Sequence, residues 1–82
     1  MSADHDDAKL VCRVVSDILD CEVSSGDSPA TLQGWDSVSH FSIASALEVS
    51  LEMTFSPGEI IEMFDGVDSI VDLISRKRDR MQ

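Results

Sequence analysis

Gly34-Trp35-Asp36-Ser37-Val38-Ser39-His40-Phe41-Ser42-Ile43-Ala44-Ser45-Ala46-Leu47-Glu48-Val49-Ser50-Leu51-Glu52-Met53 is the stretch on which the fold turns. A polar loop stops at its head, and from Ser37 to about Met53 the apolar positions recur at helical, not alternating, spacing. Asp36 is the candidate N-cap. Ile43, Ala44, Leu47 and Leu51 gather on one side as a core stripe. A second stripe, Val38, Ser42, Ser45, Val49 and Met53, begins beside Ser37 and is flanked by Glu48 and Glu52. On a helix already committed to a core, this small and apolar outer stripe reads as a partner-binding surface, although scattered surface Val and Met are common.

Working outward, Val11, Val14, Val15 and Ile18 define an amphipathic helix from about Asp7 to Leu19, widened by Leu10 and Leu19. Residues 20–35 are rich in turn formers and read as a long loop, pinned by Leu32 and by Trp35 as a structural anchor. Loops beyond about 12–15 residues in a compact domain are uncommon and are often functional. Downstream, Ser56-Pro57-Gly58-Glu59 spells a capping box with proline at the first helical position, so a short helix runs through Phe64 and offers Ile60, Ile61 and Phe64 to the core. After Asp65-Gly66 a fourth helix carries Val67, Ile70, Val71, Leu73 and Ile74 into a basic tail. The expected architecture is all-α: a small bundle of three main helices plus one short helix, with a long loop between helices one and two. It forms a single domain, with a folded core over about residues 7–75 and tails at 1–6 and 76–82.

The chain has 82 residues, of which 43% are hydrophobic but only 5% aromatic, so the core should be aliphatic, joined by Phe41, Phe55 and Phe64. A domain this small has little room for a deep catalytic cleft, and no enzymatic activity is expected. The net charge is −10. Fifteen of the sixteen acids precede Arg76, against only Lys9 and Arg13, whereas Arg76, Lys77, Arg78 and Arg80 cluster at the end. Such a body repels nucleic acid and anionic membranes and attracts proteins with basic patches. The cations suit a helix C-terminus without any binding role. Cys12 and Cys21 read as free thiols, no metal site is expected, and the acidic N-terminus lacks the character of a secretory leader. A cytoplasmic monomer without membrane insertion is the expectation.

Gly34-Trp35-Asp36-Ser37-Val38, then Ala46-Leu47-Glu48, Phe55-Ser56-Pro57 with Glu59, and finally Val67 with Ile70-Val71-Asp72-Leu73-Ile74 together resemble the acyl carrier protein family over nearly the whole chain. The family's attachment motif is Asp-Ser-Leu at the head of its second helix, and here it is Asp-Ser-Val. The resemblance implies a free-standing carrier whose Ser37 bears 4′-phosphopantetheine, transferred from coenzyme A by a phosphopantetheinyl transferase. The arm's thiol would hold acyl intermediates as thioesters. Asp36 would cap the helix and help the transferase recognise the site. The implied partners are that transferase and the acyl-loading, synthase and transferase enzymes of fatty-acid, polyketide or related pathways. The outer stripe is less acidic than in many carriers, so steering should fall on Glu48, Glu52, Glu59 and Glu62, and a specialised pathway is at least as plausible as housekeeping fatty-acid synthesis. The glycine-rich signature of peptidyl carriers is absent, which disfavours an aminoacyl cargo.

Other readings of the same residues compete. Asp36, Ser37 and His40 can be imagined as a nucleophile triad, but the aspartate would have to orient the histidine instead of capping the helix, and no oxyanion donors are identifiable. His40 falls near the core stripe and reads as a partly buried packing residue, while His5 reads as solvated. Asp68-Ser69-Ile70 repeats the short motif without a long loop before it and reads as an ordinary helix start. Glu59, Glu62, Asp65 and Asp68 lack calcium-loop spacing and read as a solvated acidic face. The alternative from another class is an unmodified acidic helical module that binds proteins through the outer stripe.

Overall fold

The computed structural model describes residues 3–81, with side chains described over 7–79. The chain folds as four helices: α1 (Ala3–Leu19), α2 (Ser37–Leu51), α3 (Pro57–Met63) and α4 (Val67–Met81). There is no strand among the described residues. α1 packs against both α2 and α4, and α3 packs against α4. The small all-α bundle read from the periodicity is the observed fold.

The core follows the stripes in most places. Val11 and Val15 of α1, Ile43, Ala44 and Leu47 of α2, and Val67, Ile70, Leu73 and Ile74 of α4 are buried together with Trp35 and Phe55. Leu10, Val14, Ile18, Leu19, Leu32, Leu51, Ile60 and Val71 lie partly buried at its edge. Burying a side chain of this kind contributes about 1.5–3 kcal/mol.

Several expectations are corrected. Met53 is buried at 8% exposure and does not continue the outer stripe. The reason is that α2 ends at Leu51: Glu52 takes a left-handed conformation with φ 54°, and the N–H groups of Glu52 and Met53 both turn back to the Glu48 carbonyl. Beyond such a terminus the helical period no longer decides which way a side chain faces. Phe41 lies on the surface, because its neighbour His40 takes the inward position. Ile61 and Phe64 are also exposed, and Met63 is the fully buried residue of α3. α3 presents Ile60 and Met63, three residues apart, because it docks on α4.

Both expected tails contribute to the fold. α1 begins at Ala3, four residues before the start expected at Asp7, and α4 runs on through the basic residues to Met81. Arg76 pairs with Glu62 of α3 and with Asp72 one turn back, Lys77 Nζ lies 2.9 Å from Glu59 Oε1, and Arg78 reaches the buried carboxylate of Asp7 at 2.8 Å. The side chain expected to be solvated at His5 lies outside the described residues.

The 20–36 connection is a built loop. Asp20, at φ 57°, ends α1 with its N–H on the Ser16 carbonyl. Asp27 then knits the loop by accepting from the Ser24 N–H and hydroxyl and from the Thr31 hydroxyl. Its carbonyl accepts the Val67 N–H at 3.0 Å, which fastens the loop to the head of α4. Gly66 permits that approach: its φ is +136°, and a Cβ there would sit 2.8 Å from the Ser28 Cβ.

Candidate functional site

Ser37 is exposed at the first position of α2. Asp36 precedes it in an extended conformation (φ −104°, ψ −174°) and accepts the Ser39 N–H at 2.9 Å, as an N-cap should. That backbone bond, aided by the Ser39 hydroxyl, holds the Asp36 carboxyl below its ordinary pKa. The first-turn N–H groups of a helix have no intrahelical acceptor and carry the positive end of its dipole. An anionic ester on Ser37 Oγ would therefore meet a favourable field.

Ser37 also stands at the edge of an apolar cleft of about 470 Å³ between α2 and α3, lined by His40, Phe41, Phe55, Pro57, Ile60, Ile61 and Phe64. Two of its walls are unusually open to water, with Phe41 at 64% and Ile61 at 74% exposure. The sequence reading places Phe41 in the core, so this wall is a correction; its three-residue spacing from the exposed Val38 is the signal that marks it as outward. The α3 half is not legible in the sequence, which turns Ile61 inward with Ile60, whereas Ile61 is exposed.

His40 closes the floor between the two helices. Trp35 Nε1 lies 3.0 Å from His40 Nδ1, and His40 Nε2 lies 2.7 Å from the Ile60 carbonyl oxygen. Indole N–H can only donate and a carbonyl can only accept, so the imidazole is neutral with its proton on Nε2. The ring also meets Phe64 edge-on at 4.9 Å between centroids. With both nitrogens engaged and Asp36 on the Ser39 N–H, these residues do not form a nucleophile triad. His40 is buried, more deeply than its partial-burial reading expected. Trp35 is buried as the expected anchor.

The partner stripe is brought together only in part. Val38 and Val49 are 77% and 81% exposed, and Ser42 and Ser45 are exposed between them, while Met53 drops out into the core. Glu52 is exposed, but Glu48 turns its carboxylate to the Phe55 N–H at 2.9 Å. Glu59 completes the capping box of α3 with Ser56 and pairs with Lys77, which also lies over the Phe55 ring at 5.6 Å. The Lys77 bond and the Ser56 N–H hold the Glu59 carboxyl below its ordinary pKa. Of the four acids expected to steer partners, Glu52 is exposed, whereas Glu48 meets the Phe55 N–H, Glu59 meets Lys77 and Glu62 meets Arg76. In the acidic cluster, Asp65 and Asp68 are exposed, whereas Glu59 and Glu62 are tied to α4.

Ser69, in the repeated Asp-Ser-apolar run, is half-buried within the first turn of α4, as an ordinary helix start would be. Cys12 and Cys21 are free thiols, and burial followed by the nearby charges of Asp27 and Asp68 pushes the Cys12 thiol pKa up. Among the described residues no group of three or more His, Cys, Asp or Glu could hold a metal ion, and no helix is long and apolar enough to cross a membrane. In comparison with known proteins, no family model matches the chain, and neither a curated protein nor a solved structure does.

Proposed function

We propose that this protein is an acyl carrier whose Ser37 Oγ is esterified to 4′-phosphopantetheine. One observation carries the reading: an exposed serine on the first turn of a capped helix stands at the lip of an apolar cleft. On transfer from coenzyme A, Ser37 Oγ gains the phosphodiester bond, the nucleotide portion leaves, and the hydroxyl proton passes to a base on the transferase. The bound arm supplies a thiol that carries acyl groups as thioesters. The chain's own residues do the rest: Asp36 fixes the helix start and the α2 N–H groups face the phosphodiester. Phe41, Ile60 and Ile61 offer apolar surface to the cargo.

The partners in this reading are a cytoplasmic phosphopantetheinyl transferase and acyl-handling enzymes with basic docking patches. Because Glu48, Glu59 and Glu62 are engaged internally, these enzymes recognise the apolar face of Val38, Val49 and the cleft rim more than a row of acids. That favours a specialised pathway over housekeeping fatty-acid synthesis. The exposed apolar rim would equally serve an unmodified interaction module, so modification is the deciding observation.

The test is incubation with coenzyme A and a promiscuous phosphopantetheinyl transferase, read by intact mass. Wild type gains one phosphopantetheine and Ser37→Ala gains none. A wild type that stays unmodified, or a Ser37→Ala protein that takes the same adduct, refutes the proposal.

A further inference from the structure

We infer that His40 is a positioning residue that couples what occupies the cleft to the conformation of the loop leading into Ser37. The inference takes its purpose from the carrier reading, but its geometry stands apart from it. α3 packs on α4, where Met63 is buried and Glu59 and Glu62 pair with Lys77 and Arg76. On the opposite side, the bond from His40 Nε2–H to the Ile60 carbonyl joins α2 to α3 across the floor of the cleft.

The cleft walls at Phe41 and Ile61 are already largely exposed, so a shift of α3 relative to α2 uncovers little further apolar surface. An apolar chain seated between them does better when both walls close on it, and a ligand moves an equilibrium by its differential affinity for the two arrangements. Any such shift pulls on the Ile60 carbonyl. The imidazole is a rigid ring, so displacement at Nε2 reappears at Nδ1, where the Trp35 N–H donates at 3.0 Å. Hydrogen bonds at 2.7 and 3.0 Å weaken steeply with stretch and misalignment, which makes the pair a responsive linkage. Trp35 lies two residues before Ser37 and is the chain's single tryptophan. It does not line the cleft, and its hydrogen bond to His40, which does, is the direct polar link between the two.

The unmodified chain tests this with 1-octanol as the probe, binding followed by calorimetry and Trp35 by its fluorescence. No coenzyme A is present, so failure here is distinct from failure of Ser37 modification. Wild type should bind saturably and show a matching shift in Trp35 emission. His40→Ala alters the cleft floor, so its affinity is measured separately; at saturating 1-octanol it should lose the shift, and His40→Gln, which offers an acceptor and a donor, should recover it. Should His40→Ala lose its helical circular dichroism, His40→Phe fills the space without either hydrogen bond and takes its place. Ile61→Ser, an exposed change in the wall, should weaken binding about tenfold. The proposal is overturned by a Trp35 shift that persists without the His40 hydrogen bonds, by binding without a shift in wild type, by no saturable binding at all, or by an Ile61→Ser protein that binds as wild type does.

Discussion

Gly66 and Gly58 make opposite demands on a side chain. At Gly66 the backbone sits at φ +136° and a Cβ would press on Ser28 and the Asp27 carbonyl, so Gly66→Ala should destabilise the fold by about 1–3 kcal/mol. At Gly58 a Cβ meets nothing within 4 Å and the backbone is helical, so Gly58→Ala should be neutral or stabilising by up to about 1 kcal/mol. Chemical denaturation of both variants reads the contrast, and equal effects would remove the special role given to the Gly66 crossing. The Asp65-Gly66 turn was legible in the sequence, but its partner was not. Nothing local to Ser28 announces that it lies against residue 66. His40 was legible in the same limited way: the helical wheel placed it inward, but its two hydrogen-bond partners sit five residues before it and twenty after it.

At the scale of the helix, α2 shows where periodicity works and where it stops. Val49 and Met53 occupy the same stripe by spacing, yet one is exposed and the other buried, because the helix ends between them. Val49→Glu should therefore leave helicity intact and change stability by no more than about 0.5 kcal/mol. Met53→Glu should cost more than about 2 kcal/mol, since it buries a carboxylate. Circular dichroism melts of the two variants would expose a misplaced face if their order were reversed. In the carrier reading, Val49→Glu also weakens partner binding. α3 teaches a similar lesson: its capping box was readable from Ser56 to Glu59, but its inward face depended on which helix it would meet. Seven residues give too few turns for a stripe to declare itself.

The whole molecule ties more of its charge into hydrogen bonds and ion pairs than its composition suggests. Asp27, Asp36 and Glu59 all have carboxyls below their ordinary pKa, through the Ser24 N–H, the Ser39 N–H and the Lys77 ammonium respectively. A carboxyl whose folded pKa is depressed adds stability above its unfolded pKa, near 4, and loses it as pH falls through the folded value. Opposing this, acid relieves repulsion in a chain of net charge −10, but at about 0.15 M salt the screening length is about 8 Å and that relief is small. Denaturation midpoints at this ionic strength should fall steadily below about pH 4. A flat or rising profile there would mean the three carboxylates hold the fold less than their bonds imply. Helix count and the all-α class were readable because they depend on local periodicity. The ion pairs from α4 to α3 and α1 were not, since each joins residues that only the finished packing brings together.

One of those pairs has a consequence for how the chain comes to be folded at all. Asp7 and Arg78 stand near opposite ends of the described chain, and α1 has α4 as a direct neighbour. During synthesis α1 therefore emerges with an apolar face whose lasting cover, α4, is translated only after α2 and α3, and the bundle closes when α4 has cleared the ribosome. Until then α2 is the helix neighbour on which α1 can lean, and part of its apolar face waits in water for α4.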